Sequence, residues 1–306
     1  CPGEILQTLK PDLLITIGYS TISKNLKLFL RKYSPYEHWH IEAAGDVPVT
    51  FQHITQINRG TPALFLTFLG SIPNQQGFEN QKQNNYNKLW EVEERRTLRA
   101  LDDHLDSKEF GELDLVGEII QNLPANSNLH LANSMSVRYA NFIGLKAAQN
   151  SIRVFANRGT SGIDGCTSTV VGHCLTSDVL NILITGDMAF FYDRNAFWHN
   201  YHLPNLRVVL LNNHGGIIFK MIDGPGETSE ADEYFITKQR LNARSLCAEF
   251  ELDYLKLDNK RKLKNLVRDF FEADGKPKVI EFESDLTLNK TLFDNLKLKI
   301  RKSYEI

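Results

Sequence analysis

Apolar residues arrive along this chain in short runs closed by glycine or asparagine, with stretches of helical spacing between them. "LLITIG" at 13–18 and the alternating "EHWHIEAAGDVPVTF" at 37–51 read as strands, the second meeting Gly45 and Pro48. From residue 115 the alternation becomes regular. Leu115, Val116, Ile119, Ile120 and Leu123 share one helical face that Pro124 ends, and "NLHLAN" at 128–133 follows as a strand. "IRVFAN" at 152–157, "VLNILITG" at 179–186, "NLRVVLLN" at 205–212 and "KVIEFE" at 278–283 predict further strands. Leu263, Leu266, Val267, Phe270 and Phe271 return at helical spacing before Gly275. Strands alternating with helices predict an α/β fold, a parallel sheet with helices on both faces.

The pattern breaks at "IPNQQGFENQKQNNYN" (72–87), poor in apolar residues and rich in Asn and Gln, as a solvated connector is. The expected division is a small α/β region over 1–75, a polar connector over 76–89 and a larger α/β domain over 90–306. "EVEERRTLRALDDHLD" at 91–106 mixes both charge signs and reads as a solvated helix face.

Composition narrows the classes of function. Lys and Arg total 35 against 37 Asp and Glu, which argues against a nucleic-acid surface and favours small-molecule chemistry. The four cysteines form no CxxC pair, which fits a reducing compartment, the cytoplasm by default. The apolar runs fall short of the ~20 residues of a membrane span. The start "CPGEIL" lacks a signal-peptide pattern and looks like a cut end. Cys166, His173 and Cys174 lie along a predicted helix and are expected to pack rather than bind zinc. His38 and His40 are expected to share a structural role on one face, and Phe197 and Trp198 to be core.

In open α/β sheets ligands bind beyond the carboxyl ends of the strands. Those ends read "NSMSVR" (133–138), "NRGTSGIDG" (157–165), "GDMAFFYD" (186–193) and "NNHGG" (212–216). Each leads into a predicted helix, and glycine with a helix N-terminus suits a phosphate-bearing ligand. Asp187 and Asn213 stand 26 positions apart at the ends of two strands, about one helix plus one strand. A carboxylate, an amide oxygen and a nearby backbone carbonyl make an oxygen-only half shell, suited to Mg²⁺ completed by phosphate oxygens and water. A helix cap at Asp187 and a plain turn at Asn212-Asn213 are the alternatives.

"GDM" followed downstream by "NN" resembles the thiamin diphosphate motif, which opens Gly-Asp-Gly and ends Asn-Asn; Met188 replaces the last glycine. Together the four blocks resemble the MenD family, the thiamin diphosphate-dependent 2-succinyl-5-enolpyruvyl-6-hydroxy-3-cyclohexene-1-carboxylate synthases of menaquinone synthesis. The resemblance runs from Trp90 to the C-terminus, the family's pyrophosphate-binding domain, and more thinly over 1–72, part of its central domain.

The resemblance implies Mg²⁺ (or Mn²⁺) on Asp187, Asn213 and the Gly215 carbonyl, with His214 between them and not a ligand. It places Gly162, Gly186, and the backbone of Met188 and Ala189 near the cofactor, Ala189 standing where serine is usual. Ile163 would prop the bent cofactor, and Ile218, Phe219 and Ile222 would line the same pocket. Ser134, Arg138 and Arg158 would bind 2-oxoglutarate, since guanidinium groups fork onto carboxylates. Lys24 would meet isochorismate, with Asn25 where arginine is common.

The implied reaction is decarboxylation of 2-oxoglutarate and addition of the succinyl-semialdehyde carbanion to isochorismate, by a cytoplasmic homo-oligomer, dimer or tetramer. The activating glutamate of the family belongs to a pyrimidine-binding domain that these residues do not contain. The chain alone is therefore expected to be inert, as an experimental or processed fragment or as the partner of a separate subunit. Competing readings are an acetolactate-synthase-like 2-oxo acid enzyme and a non-catalytic phosphate-ligand module.

Overall fold

The computed structural model describes residues 1–72, 81–222 and 224–305, with the backbone alone at 81–84. Two compact units divide the chain, residues 1–100 with 298–306, and residues 101–297. Residues 76–80 of the expected connector lie outside the described residues, and 81–89 are the first turns of the helix Gln81–Leu105. No helix among the described residues is long and apolar enough to cross a membrane.

The first unit carries a parallel sheet in the order β1 (Leu13–Ile17), β2 (Glu37–Ile41), β3 (Gln56–Asn58). The alternating stretch at 37–51 is thus a strand only to Ile41; Gly45 and Pro48 fall in loop, and three-residue β3 is too short to leave a periodic signal. His38 and His40 are buried on one face of β2, and Thr16 Oγ1 bonds both rings, at 2.8 and 2.9 Å. Ser23 accepts the Leu26 N–H and starts the helix Lys24–Lys32, which buries Phe29 and Leu30 against Leu9 and Phe51.

The second unit is the α/β fold that the alternation predicts. Its six strands are β4 (Asn128–Leu131), β5 (Arg153–Ala156), β6 (Asn181–Gly186), β7 (Leu206–Asn212), β8 (Asp253–Leu257) and β9 (Lys278–Glu283). They form one parallel sheet in the order β5-β4-β6-β7-β9-β8. No strand is expected from sequence at the edge strand β8; only Leu257 of it is fully buried and Lys256 is exposed, so its apolar alternation is diluted. Every residue of β7 is buried, as a strand covered on both faces requires. The chain leaves β4 for β5 on one side and reaches β6 on the other, so the order reverses at β4, where crevices open in such sheets.

One buried charge secures the amino end of this sheet. Arg207 is fully buried and donates to the carbonyls of Phe270, Glu272, Lys276, Pro204 and Leu206 at 2.5–3.0 Å. It thereby caps the helix Leu263–Phe271 while sitting in the middle of the sheet. Arg207→Met removes these five bonds, and among the described residues only the Glu272 carbonyl keeps a side-chain donor, Lys278. The substitution is expected to cost about 3 kcal/mol, read as a lower urea midpoint.

Candidate functional site

The carboxyl ends of β4, β5, β6 and β7 surround a cavity of about 310 Å³. Its wall includes Ser134, Arg138, Arg158, Ile163, Gly186, Asp187, Met188, Ala189, Asn213, Gly215, Ile218, Phe219 and Ile222. These are the residues that the sequence nominated, apart from two. Gly162 stays behind the wall, where its carbonyl accepts from Asn133. Lys24 lies in the first unit and does not line this cavity.

The register explains the convergence. Gly186 pairs with Leu211, so Asp187 and Asn212 are the next positions on adjacent strands. Asp187 is buried at the start of the helix Asp187–Tyr192, and its Oδ2 accepts from Gln239 Nε2 at 2.7 Å. Burial pushes its carboxyl up to about 6, against the relief given by Gln239, the Met188 amide and the nearby His214. The Met188 N–H is turned on this carboxylate.

The two asparagines have different tasks. Asn212 donates to Glu281 and to the Leu241 carbonyl and accepts from Gln239, so it ties the turn to the sheet. Asn213 donates its Nδ2 to Glu112 Oε1 at 2.7 Å, while its buried Oδ1 has no hydrogen-bond partner among the described residues. His214 takes a left-handed backbone, φ 61°, and its ring lies beside Gln239 rather than on the cavity wall. Gly215 and Gly216 are required by close approach: a Cβ at either would lie 2.9 Å from the carbonyl oxygens of Ile236 and Phe235 respectively.

At the other end of the cavity Asn133 joins β4 to β5. Its Nδ2 donates to the carbonyls of Asn157 and Gly162, and its Oδ1 receives Arg158 Nη1 at 2.8 Å. Arg138 donates to the Ser134 carbonyl at 2.6 Å, and burial with the Arg158 charge lowers its pKa. Ser134 and Ser161 both have positive φ, 70° and 63°, an uncommon conformation for residues other than glycine that is held only where the surroundings impose it. Ile163 packs on Ala132, Cys166 and Ala189.

The cavity is therefore polarised: carboxylates of Asp187 and Glu112 at one place, two guanidinium groups at another, and apolar side chains between. An unpaired amide oxygen with a buried carboxylate fits a hard divalent cation, and a Cβ on Gly186 would meet only open space, so a ligand can approach the backbone there. Glu112, Gln239 and Asn212 were not nominated from sequence. Glu112 precedes β4 and Gln239 follows no strand end, so neither position carried a signal.

Side chains away from the cavity divide between core and surface. Phe197 is buried, but Trp198 is 83% exposed and is not core; the 3-10 turn Arg194–Phe197 ends just before it and leaves it outside. Cys166 and Cys174 are buried on the helix Cys166–Thr176, and among the described residues no three His, Cys, Asp or Glu side chains gather as a metal site.

No protein-family model matches the chain. It is similar to curated proteins named 2-succinyl-5-enolpyruvyl-6-hydroxy-3-cyclohexene-1-carboxylate synthase. That of Cytophaga hutchinsonii is 43% identical over 304 residues, 99% of this chain and 53% of the relative. Those of Christiangramia forsetii and Bacteroides thetaiotaomicron are each 34% identical, over 94% and 97% of this chain and 48% and 52% of theirs. The chain thus spans about half the length of the curated relatives it matches.

Proposed function

We infer, from a chain that belongs by sequence with the 2-succinyl-5-enolpyruvyl-6-hydroxy-3-cyclohexene-1-carboxylate synthases and spans about half their length, that its second unit holds the diphosphate and divalent cation of thiamin diphosphate. The observation that carries this reading is the buried Asn213 Oδ1, without a hydrogen-bond partner among the described residues, in the same cavity as Asp187. Asp187, Asn213 and the Gly215 carbonyl would hold Mg²⁺ or Mn²⁺, and phosphate oxygens would complete its shell. Bound there, the cofactor supplies the electron sink needed to decarboxylate a 2-oxo acid.

The chain's own residues do the positioning. Gln239 holds Asp187 and Asn212 with one amide group, so the two strand ends keep a fixed relation before any ligand arrives. Ile163, Ile218 and Phe219 give the organic part of the cofactor an apolar wall that excludes water. Arg138 and Arg158 give a dicarboxylate two cationic donors, which favours 2-oxoglutarate over a monocarboxylate such as pyruvate. We propose isochorismate as the acceptor and Lys24 as its contact on the family resemblance alone. We assign turnover to an oligomeric protein containing both halves of the relatives' length, and none to these 306 residues alone.

Calorimetry tests the reading directly. Thiamin diphosphate is expected to bind when Mg²⁺ is present and to lose most of its affinity in chelator, with ADP binding far more weakly. Equal binding of ADP would instead mark a general phosphate-ligand module. In the two-half protein, equal turnover of pyruvate and 2-oxoglutarate would point to another 2-oxo acid enzyme.

A further inference from the structure

We propose that Glu112 is the positioning residue of the cation site: its carboxylate fixes the rotation of the Asn213 amide so that the carbonyl oxygen, not the NH₂ group, faces the cation. The proposal rests on the cation-site reading above and adds a residue that the sequence did not point to.

An asparagine amide has two ends of nearly equal shape, and a ligand role needs one of them. Here a directional chain of hydrogen bonds makes the choice, starting from a group that can only donate. The backbone N–H of Glu112 donates to Asn289 Oδ1 at 3.0 Å, which sets the Asn289 amide. Asn289 Nδ2 must then donate, and it does so to Ser284 Oγ at 2.8 Å. The Ser284 hydroxyl then donates to Glu112 Oε1 at 3.4 Å, and the same oxygen accepts Asn213 Nδ2 at 2.7 Å. Asn213 Oδ1 is the remaining end. Gly111 makes room for this chain, since a Cβ there would lie 2.8 Å from both Asn289 Oδ1 and Leu292 Cδ1. Glu112, Asn213 and Asn289 are all at least nine-tenths buried, so water does not compete for these bonds.

Orientation and charge are separable. Glutamine at 112 keeps an oxygen for Asn213 and Ser284, loses the charge and turns its NH₂ toward Tyr139, whose hydroxyl can accept it; alanine loses every side-chain bond and the charge. A carboxylate at 213 offers oxygen whichever way it turns, so it needs no orienting partner. Mn²⁺ is titrated into the two-half protein with thiamin diphosphate present, and free Mn²⁺ is read from its EPR signal. Glu112→Ala is expected to weaken binding about tenfold or more and Glu112→Gln to stay within about threefold of the parent. In an Asn213→Asp background, Glu112→Ala is expected to cost little.

Parental binding by Glu112→Ala, a loss in Glu112→Gln equal to that in Glu112→Ala, or the same loss in both backgrounds overturns the proposal. If Glu112→Ala does not fold by circular dichroism, Asn289→Ala at the far end of the chain is judged by the same pair of backgrounds. Asp187→Ala separates the two readings: if it binds Mn²⁺ as the parent does, the cation-site reading falls. If Asp187→Ala loses binding and the Glu112 variants do not, only the orienting role falls.

Discussion

Asp187→Ala is expected to weaken Mg²⁺-dependent thiamin diphosphate binding by about a hundredfold or more, because it removes the one carboxylate of the ligand set rather than a supporting group. The residue is buried at a strand-to-helix junction and is bonded by Gln239, so the variant also leaves that amide with one partner fewer. The fold should persist, since the side-chain partner given for Asp187 among the described residues is Gln239 rather than an apolar group, and a retained thermal transition would confirm that the loss is local. Asn213→Leu should act in the same direction. Unchanged cofactor affinity in both variants, measured by calorimetry at fixed Mg²⁺, would remove the cation from this place in the fold.

The second large effect is a pH dependence of stability with an unusual sign for acidic residues. Burial holds the Glu112 carboxyl up at about 7 in the folded chain against 4.5 ordinarily, with the Asp187 charge acting in the same direction and the Asn213 bond opposing. Below pH 4.5 Glu112 is protonated in both folded and unfolded chains and makes no difference. Between 4.5 and about 7 the unfolded chain ionises while the folded chain keeps its proton, so stability falls as pH rises. Above about 7 the full cost is present, on the order of 3 kcal/mol.

Other groups titrate over the same window, so the clean comparison is with Glu112→Gln, which has no proton to lose. In chelator, raising the pH from 5 to 7.5 should improve the variant relative to the parent by roughly 5–10 °C in melting temperature. Parallel melting curves across that range would show that the carboxyl carries no such burden. Adding Mg²⁺ and thiamin diphosphate to the parent should narrow the gap, because the cation favours ionised Asp187 and Glu112 together.

The part of the site that could be read from sequence is the part with a local cause. Asp187, Asn213 and Gly215 follow apolar strands directly, Ser134 and Arg158 stand just after β4 and β5, and Arg138 lies in the first turn of the helix Met135–Ile143 that Ser134 opens. In a parallel sheet those positions meet at one edge whatever else the chain does. The parallel α/β fold of the second unit was legible for the same reason, since fully buried strands leave continuous apolar runs such as the one in β7. What the sequence hid has a non-local cause. Gln239 reaches Asp187 across 52 residues and Glu112 reaches Asn213 across 101, with no spacing rule to join them. Arg207 and Glu281 are polar residues inside strands, and their partners are backbone groups or side chains fixed only by the finished packing. Strand β3 and the edge strand β8 were too short or too exposed for an apolar pattern to mark them.

The bond chain from Asn289 through Ser284 and Glu112 to Asn213 also has a kinetic side. It spans sequence separations of 177 and 101 residues, among the longest loops the second unit closes. Entropy delays such closures until nearer contacts are in place. Strand pairs of shorter separation can therefore form before the amide of Asn213 is turned. On the proposed function, a chain cut short of Asn289, in the helix Leu286–Lys302, is expected to lose affinity for thiamin diphosphate and Mg²⁺ although every residue of the proposed ligand set is still present.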